Sequence, residues 1–516
     1  MKSGNKVVMN MGILYARMLI TMGISLYATR LVLTALGAAD YGVFNLIAGL
    51  IAMLSFLNTA MATSTQRYLS FYQGKNDLAM QKRVFSNSLV LHLGIGILIV
   101  AGLEIAGLFL FNGFLNIPAD RIHVAQMIYH FMSVTVFFTI VAVPFTGSLV
   151  AHENMLWVAI VNVVETLLKL GIAYLLYVVA QDKLAVYGLL TAGISIISLL
   201  MYAVYCFYKY EDCTLKGIFS IDTKLMKELT SFAGWNLFGS LCALGRAEGL
   251  AILLNIFLGT VVNAAFGIAN QVAAQLNFFS FTLLRAINPQ IMKSEGANNR
   301  EKMLRLSMIG SKFGFFLLAF VAVPCIFEMD TILHLWLIKV PEYTVVFCSL
   351  MLCATLINQL TIGLQSAVQA TGRVKAYQMV VGSVLLLALP LAYMLLKLGY
   401  PPYYVFIGYC VVELIACTLR LFFLRSIAGL SISLYFSNVI FKIIIPLSLL
   451  VLTCYLSVSY LHFEFRFFFT GIAGVLVFGT GIYLFGLCED EKLFIKKMIP
   501  ALLEKLQAKK RQLKHT

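Results

Sequence analysis

The chain has 516 residues, 61% hydrophobic and only 12% charged, with a mean hydropathy of +0.90. Soluble domains carry about 25% charged residues, so a soluble globule is excluded. Apolar runs recur from residue 11 to residue 487, each of about the 20 residues that a helix needs to cross a bilayer. A transmembrane β-barrel would show alternating strands of about ten residues, and none occurs. The fold class is therefore all-α and polytopic. The net charge of +15 does not imply nucleic acid, because Lys and Arg concentrate in alternate loops and the C-terminal tail, where membrane orientation and contact with anionic lipid account for them.

Fourteen hydrophobic segments follow in order, at roughly 11–33, 42–65, 86–111, 124–150, 157–180, 185–208, 229–258, 261–285, 306–329, 343–370, 377–397, 403–425, 434–461 and 467–487. Lys2 and Lys6 precede the first, which runs on through Arg17 and Arg30 without a small-residue cleavage site. It reads as a retained span, not a signal peptide. One set of loops is basic: Arg67, Lys75, Lys82 and Arg83 after the second segment, Lys209, Lys216, Lys224 and Lys227 in the linker 209–228, and Lys293, Arg300, Lys302 and Arg305 after the eighth. The opposite set holds little beyond Arg121, Lys183, Lys339 and Arg466. Excess Lys and Arg marks the cytoplasmic side, so both termini are expected inside and the number of spans even; twelve would also satisfy this. The tail 488–516 reads as a short basic amphipathic helix at the cytoplasmic surface. No loop is long enough to form a soluble catalytic domain, and the chain reads as a non-enzyme.

The sequence repeats. A shift of 222 positions places Gly12 over Gly234, Gly23 over Gly245, Gly37 over Gly259, Gly74 over Gly296 and Arg83 over Arg305. Six spans per copy give both copies the same orientation, and two such bundles facing a central cavity are a transporter layout. The expected organisation is an N-terminal lobe over 1–208, a linker over 209–228, a C-terminal lobe over 229–425, two further helices over 426–487 and the tail.

The candidate chemistry lies in polar residues inside apolar segments. Arg246 sits near the middle of the seventh segment, on a face with Trp235, Gly239, Cys242 and Gly249. A mid-bilayer guanidinium costs at least ~3 kcal/mol and needs a carboxylate, a water-filled cavity or an anionic ligand. Glu248 is too close in sequence to pair with it on one helix face. Two readings follow: a cavity-facing arginine, or a buried pair with Glu413 or Glu104. Arg17 and Arg30 bracket the first segment, where they could receive and release an anionic headgroup or snorkel to lipid. Arg420 and Lys442 lie nearer cytoplasmic ends and are expected to snorkel. Glu165 and Lys169 have the spacing of an intrahelical ion pair. Asn358, Thr361, Gln365 and Gln369 fall on one face of the tenth segment, and Asn270, Gln271, Gln275 and Asn277 along one side of the eighth. These amides either bond across helices or offer partners to sugar hydroxyls and water.

Ten cysteines show no metal-ligand or redox spacing; Cys242, Cys325, Cys353, Cys410, Cys417 and Cys454 lie in apolar runs and read as small hydrophobes. His92, His130, His152 and His334 have no metal-ligand neighbour at i+3 or i+4, so no metal is assigned. No phosphate loop ending in Gly-Lys-Ser/Thr occurs, which argues against ATP hydrolysis.

Leu36-Gly-Ala-Ala-Asp-Tyr-Gly-Val-Phe-Asn45 after the first segment, and Arg67-Tyr-Leu-Ser-Phe-Tyr-Gln-Gly-Lys75 after the second, resemble the start of Wzx-type polysaccharide flippases. These belong to the MOP superfamily, which also contains MurJ and the MATE exporters. The resemblance implies that an undecaprenyl-diphosphate-linked oligosaccharide is moved across the bacterial inner membrane by alternating access, for surface polysaccharide synthesis. It implies membrane lipids, a polysaccharide polymerase and glycosyltransferases as partners. Cationic cavity residues would hold the diphosphate, and by charge and depth the candidates here are Arg246, Arg17 and Arg30, with Asn270, Gln275, Asn358, Gln365 and Gln369 facing the sugars. No cofactor is implied, and coupling to sodium or protons stays open. A MATE-like exporter of cations is the first rival; it would favour acidic residues in the first span, which has none. A glycan polymerase or ligase is the second, and would require larger outer loops.

Overall fold

In the computed structural model each of the fourteen segments lies on helix. The structure describes residues 3–52, 54–114, 117–216, 221–337, 339–463, 465–493 and 496, and no strand occurs among them. Most of the expected tail helix lies outside these residues. The protein is a multi-pass, all-α membrane protein. Among the described residues, eleven helices are long and apolar enough to cross a bilayer, or twelve with one bent pair counted as a single span.

That count is below fourteen in part because one helix runs on through a break and takes in two segments. Thr223–Gly296 has 74 residues, which if straight would be about 110 Å long, more than three times a ~30 Å hydrocarbon core. Its break falls at Gly259, with φ 79° and ψ −172°. Ser3–Ala52 breaks in the same way at Gly37, with φ 79° and ψ 166°. This backbone region is open essentially to glycine alone, so the two residues end the first and seventh spans for the same steric reason. The repeat extends further: Asn76 and Asn298, also 222 positions apart, have φ of 56° and 55°.

Polar caps place the other helix starts. Asp77 accepts from the Met80 amide, Asn154 from Trp157, Asp182 from Leu184 and Ala185, and Asp222 from Leu225. Each cap satisfies an amide that the first helical turn leaves open.

Two compact units form. One gathers Lys6–Ser240 with Asn288–Asn299; the other consists chiefly of Leu241–Ile287 and the chain from Arg300 onward. The first packs Val43, Ile47 and Ile51 against Ile128, Tyr129, Met132 and Val136. At the opposite end from its basic loops, Arg121 pairs with Asp40 at 2.7 Å and Asp182 at 2.6 Å. In the second, the tenth span is broken: Thr344–Gln359 and Ile362–Thr371 meet at 42°. The expected continuous face of Asn358, Thr361, Gln365 and Gln369 is therefore interrupted. Glu165 and Lys169 do form their intrahelical pair, at 2.9 Å.

Replacing Gly37 or Gly259 by Ala should destabilise the protein by a similar ~1–3 kcal/mol each, the usual cost of forcing a side chain into such a backbone region. Thermal unfolding of the detergent-solubilised protein measures this, and a neutral effect at both positions would contradict the shared role.

Candidate functional site: buried arginines within the spans

Arg246 lies deep in the seventh span and is only 9% exposed. Its Nη1 donates to Glu413 Oε2 at 2.9 Å, and its guanidinium stacks 4.1 Å from the centroid of the Tyr409 ring. Of the two arrangements considered for it, the structure contains the pair with Glu413. Glu104 is engaged elsewhere, with His130 at 2.8 Å. The pair is not isolated. Glu413 Oε1 accepts from Asn358 Nδ2 at 2.5 Å and from Arg420 Nη2 at 3.3 Å. Arg420 Nη1 donates to Thr361 Oγ1 at 3.1 Å. Arg420 does not snorkel as its position suggested; it is 3% exposed, because a carboxylate and a hydroxyl inside the bundle offer its charge more than the lipid interface does.

This cluster surrounds the break in the tenth span. Tyr435 donates its hydroxyl to the Leu360 carbonyl, and Cys417 Sγ donates to that of Ile357 at 3.2 Å. On the same stretch, Gln359 Nε2 donates to Asn277 Oδ1 at 2.8 Å. A break inside lipid frees backbone groups that must be satisfied by protein, and here two neighbouring spans supply partners for the Leu360 and Ile357 carbonyls. Two guanidiniums share one carboxylate, so the cluster carries a net charge of +1, and the Nε of both arginines is buried without a hydrogen-bond partner.

Arg17 lies in the other unit. It is half-buried, and its Nη1 lies 3.5 Å from Asn162 Oδ1, with its Nε buried and unbonded. Asn162 in turn donates to the Tyr202 hydroxyl at 3.2 Å and to the Val158 carbonyl at 2.6 Å. Among the described residues no carboxylate pairs with Arg17. Arg30 is exposed, and its guanidinium has no ion-pair partner among the described residues. Asn270 is half-buried and Gln275 exposed, neither with a side-chain hydrogen bond among the described residues; Gln365 and Gln369 are half-buried. The structure thus brings Arg246 and Asn358 together on Glu413 and leaves the other candidate amides outside that cluster.

Sequence reasoning missed several buried charged groups, three of them in the unit that holds Glu413. Arg420 was assigned to the interface. Lys312, 1% exposed in the ninth span, pairs with Glu491 at 2.6 Å. Glu328 accepts both Nε and Nη2 of Arg466 at 2.9 Å and the Thr470 hydroxyl at 2.8 Å. The available signal was a charged residue inside or at the edge of an apolar run. The partners of Lys312 and Glu328, however, lie 179 and 138 positions away.

Glu413→Gln should be among the most damaging substitutions in the spans. It leaves two buried guanidiniums without an anion, and breaking a buried pair costs roughly 3–5 kcal/mol. The double variant Arg246→Met with Glu413→Gln should lose less than the sum of the single losses. Thermal unfolding in detergent provides the comparison, and strict additivity would refute the coupling.

No protein-family model matches the chain, and no curated protein matches it. Solved structures do. The chain is similar to a MATE transporter in its bent conformation, with TM-score 0.72 and 15% identity over 83% of this chain and 98% of that one. It is similar to the MATE transporter ClbM in complex with Rb+, with TM-score 0.69 and 14% identity over 84% and 96%. It is also similar to a MOP superfamily transporter from Pyrococcus furiosus, described as having a binding pocket of reversed polarity, with TM-score 0.69 and 15% identity over 81% and 95%. The chain has the fold of the MATE transporters of the MOP superfamily.

Proposed function

We propose that the protein is a transporter that flips an anionic lipid-linked glycan, with the diphosphate of an undecaprenyl carrier as the group recognised, across the bacterial inner membrane with both termini in the cytoplasm. One observation carries the reading: among the described residues, Arg17, Arg246 and Arg420 within the spans have a single carboxylate, Glu413, between them. Arg17 has an amide in place of an acid, and Arg246 and Arg420 share Glu413. A buried cation without a counter-ion is costly, and an anionic cargo supplies one. Diphosphate suits the forked geometry of a guanidinium, so Arg17 replaces Arg246 as the leading contact. The Asn162 amide beside Arg17 can replace hydration at sugar hydroxyls. The polyprenyl tail would remain in lipid, and no covalent chemistry is required.

One observation favours the rival exporter of cations. Glu248 is exposed within the seventh span and has no partner among the described residues. A carboxylate in a span avoids hydrocarbon, and an unpaired one suits a cationic cargo or coupling ion.

The two readings separate in vesicles reconstituted with a labelled polyprenyl-diphosphate sugar. Arg17→Gln should preserve insertion and folding yet reduce flipping at least about tenfold, equivalent to ~1.4 kcal/mol of lost interaction, while Arg17→Lys recovers part of it. Glu248→Gln should leave flipping intact. Wild-type flipping by Arg17→Gln would overturn the proposal, and loss in Glu248→Gln alone would favour the exporter.

A further inference from the structure

The ends of the second and eighth spans meet in a reciprocal contact. A Cβ built on Gly74 would lie 2.1 Å from the carbonyl oxygen of Lys293, and one on Gly296 would lie 2.0 Å from that of Phe71. Lys293 follows Phe71 by the same 222 positions as Gly296 follows Gly74. The contact therefore maps onto itself under the repeat, as an isologous interface does. Two backbones touch where no other residue type fits. Both segments lie in the same compact unit, because Asn288–Asn299 packs with Lys6–Ser240.

An ion pair closes over this crossing. Glu153 sits in the tight turn after Ala151 with φ 58° and is 3% exposed. Its Oε1 accepts from Lys293 Nζ at 2.6 Å, and its Oε2 lies 3.8 Å from Lys6 Nζ. Asn10 Nδ2 donates to the Glu153 carbonyl at 2.9 Å, and Lys6 Nζ to that of His152 at 3.1 Å. Burial alone would raise the Glu153 carboxyl, but the Lys293 ammonium, with further bonds from Lys293 and Gln290, holds it below the usual range. Glu153 is therefore charged at neutral pH. The start of the first span, the turn after the fourth and the end of the eighth are tied to one carboxylate.

We propose that Glu153 and Lys293, with the Gly74–Gly296 crossing beneath them, form a latch that holds the basic-loop end of this unit shut, and that this end opens only when the pair separates. Glycine at both crossing positions permits backbone contact without side chains to interlock, so the closed state can be left without unthreading a packed core. The ion pair then supplies the hold, and any movement of the eighth span's end away from the turn after the fourth must break it. The latch is independent of what the protein carries.

Hydrogen–deuterium exchange of the full-length protein in nanodiscs, without substrate, tests this. In Glu153→Gln, amides of 66–76 and 288–298 should exchange about tenfold faster, together, as local opening becomes cheaper, while Tyr403–Ala428 keeps its wild-type rate. Gly74→Ala and Gly296→Ala should each accelerate both segments to a similar extent. Lys293→Gln should accelerate the same two segments to a similar extent. Unchanged exchange in Glu153→Gln, acceleration of one segment only, acceleration that spreads to Tyr403–Ala428, or wild-type exchange in Lys293→Gln would each overturn the latch. Because no cargo is present, failure here leaves the flippase reading standing, and failure of that reading leaves the latch standing.

Discussion

The demand that a charge surrounded by hydrocarbon find a partner shapes much of this protein. Glu413 answers it for two arginines at once, and the same residues hold the tenth span in its broken form through Asn358 and Thr361. Without that carboxylate the break would lie beside two unpaired cations. Ion pairs of this kind add little net stability when both partners could be replaced by apolar residues. What they fix is geometry: they make one bent arrangement of the tenth span acceptable and others costly.

Glycine works at the opposite extreme, by absence of a side chain. Gly37 and Gly259 turn the chain through a backbone region that a Cβ forbids, while Gly74 and Gly296 let two helix ends touch. Four glycines at two repeat-related pairs of positions thus set where spans end and where they cross. The polar caps at Asp77 and Asp222 then restart the helices. Charge and glycine play separate parts. Charge fixes contacts within the spans, and glycine fixes where the backbone can turn and approach.

This separation explains what could be read from the chain alone. The spans, the repeat and the turning glycines are local properties, expressed in hydropathy and in residues whose backbone freedom is unusual, and they were legible. Arg246 was legible as an anomaly, with Glu413 among its possible partners, because a mid-span cation has few solutions. Arg420 was not. Its position near a segment end fits snorkelling equally well, and only the arrangement of Thr361 and Glu413 around it decides otherwise. The break after Gln359 was hidden for a similar reason, since polar residues at helical spacing look the same on a straight helix. Lys312 finds Glu491 across 179 positions, a pairing that no local pattern announces.

The fold, shared with MATE transporters, does not decide the cargo, because one architecture hosts many functions and the site's chemistry selects among them. Charge balance discriminates more sharply. A cation exporter needs buried acids that its own arginines do not already neutralise, and Glu413 is neutralised twice over. Glu248 is the exception, unpaired among the described residues but exposed on its helix. Arg17 is placed differently: half-buried, with its Nε sealed off and only an amide beside one Nη. Of the two unpaired groups, the cation is the more enclosed by protein. An anionic group entering beside Arg17 would meet a charge that no acid of the chain pairs with among the described residues, and on that ground we propose a diphosphate ahead of a cationic drug.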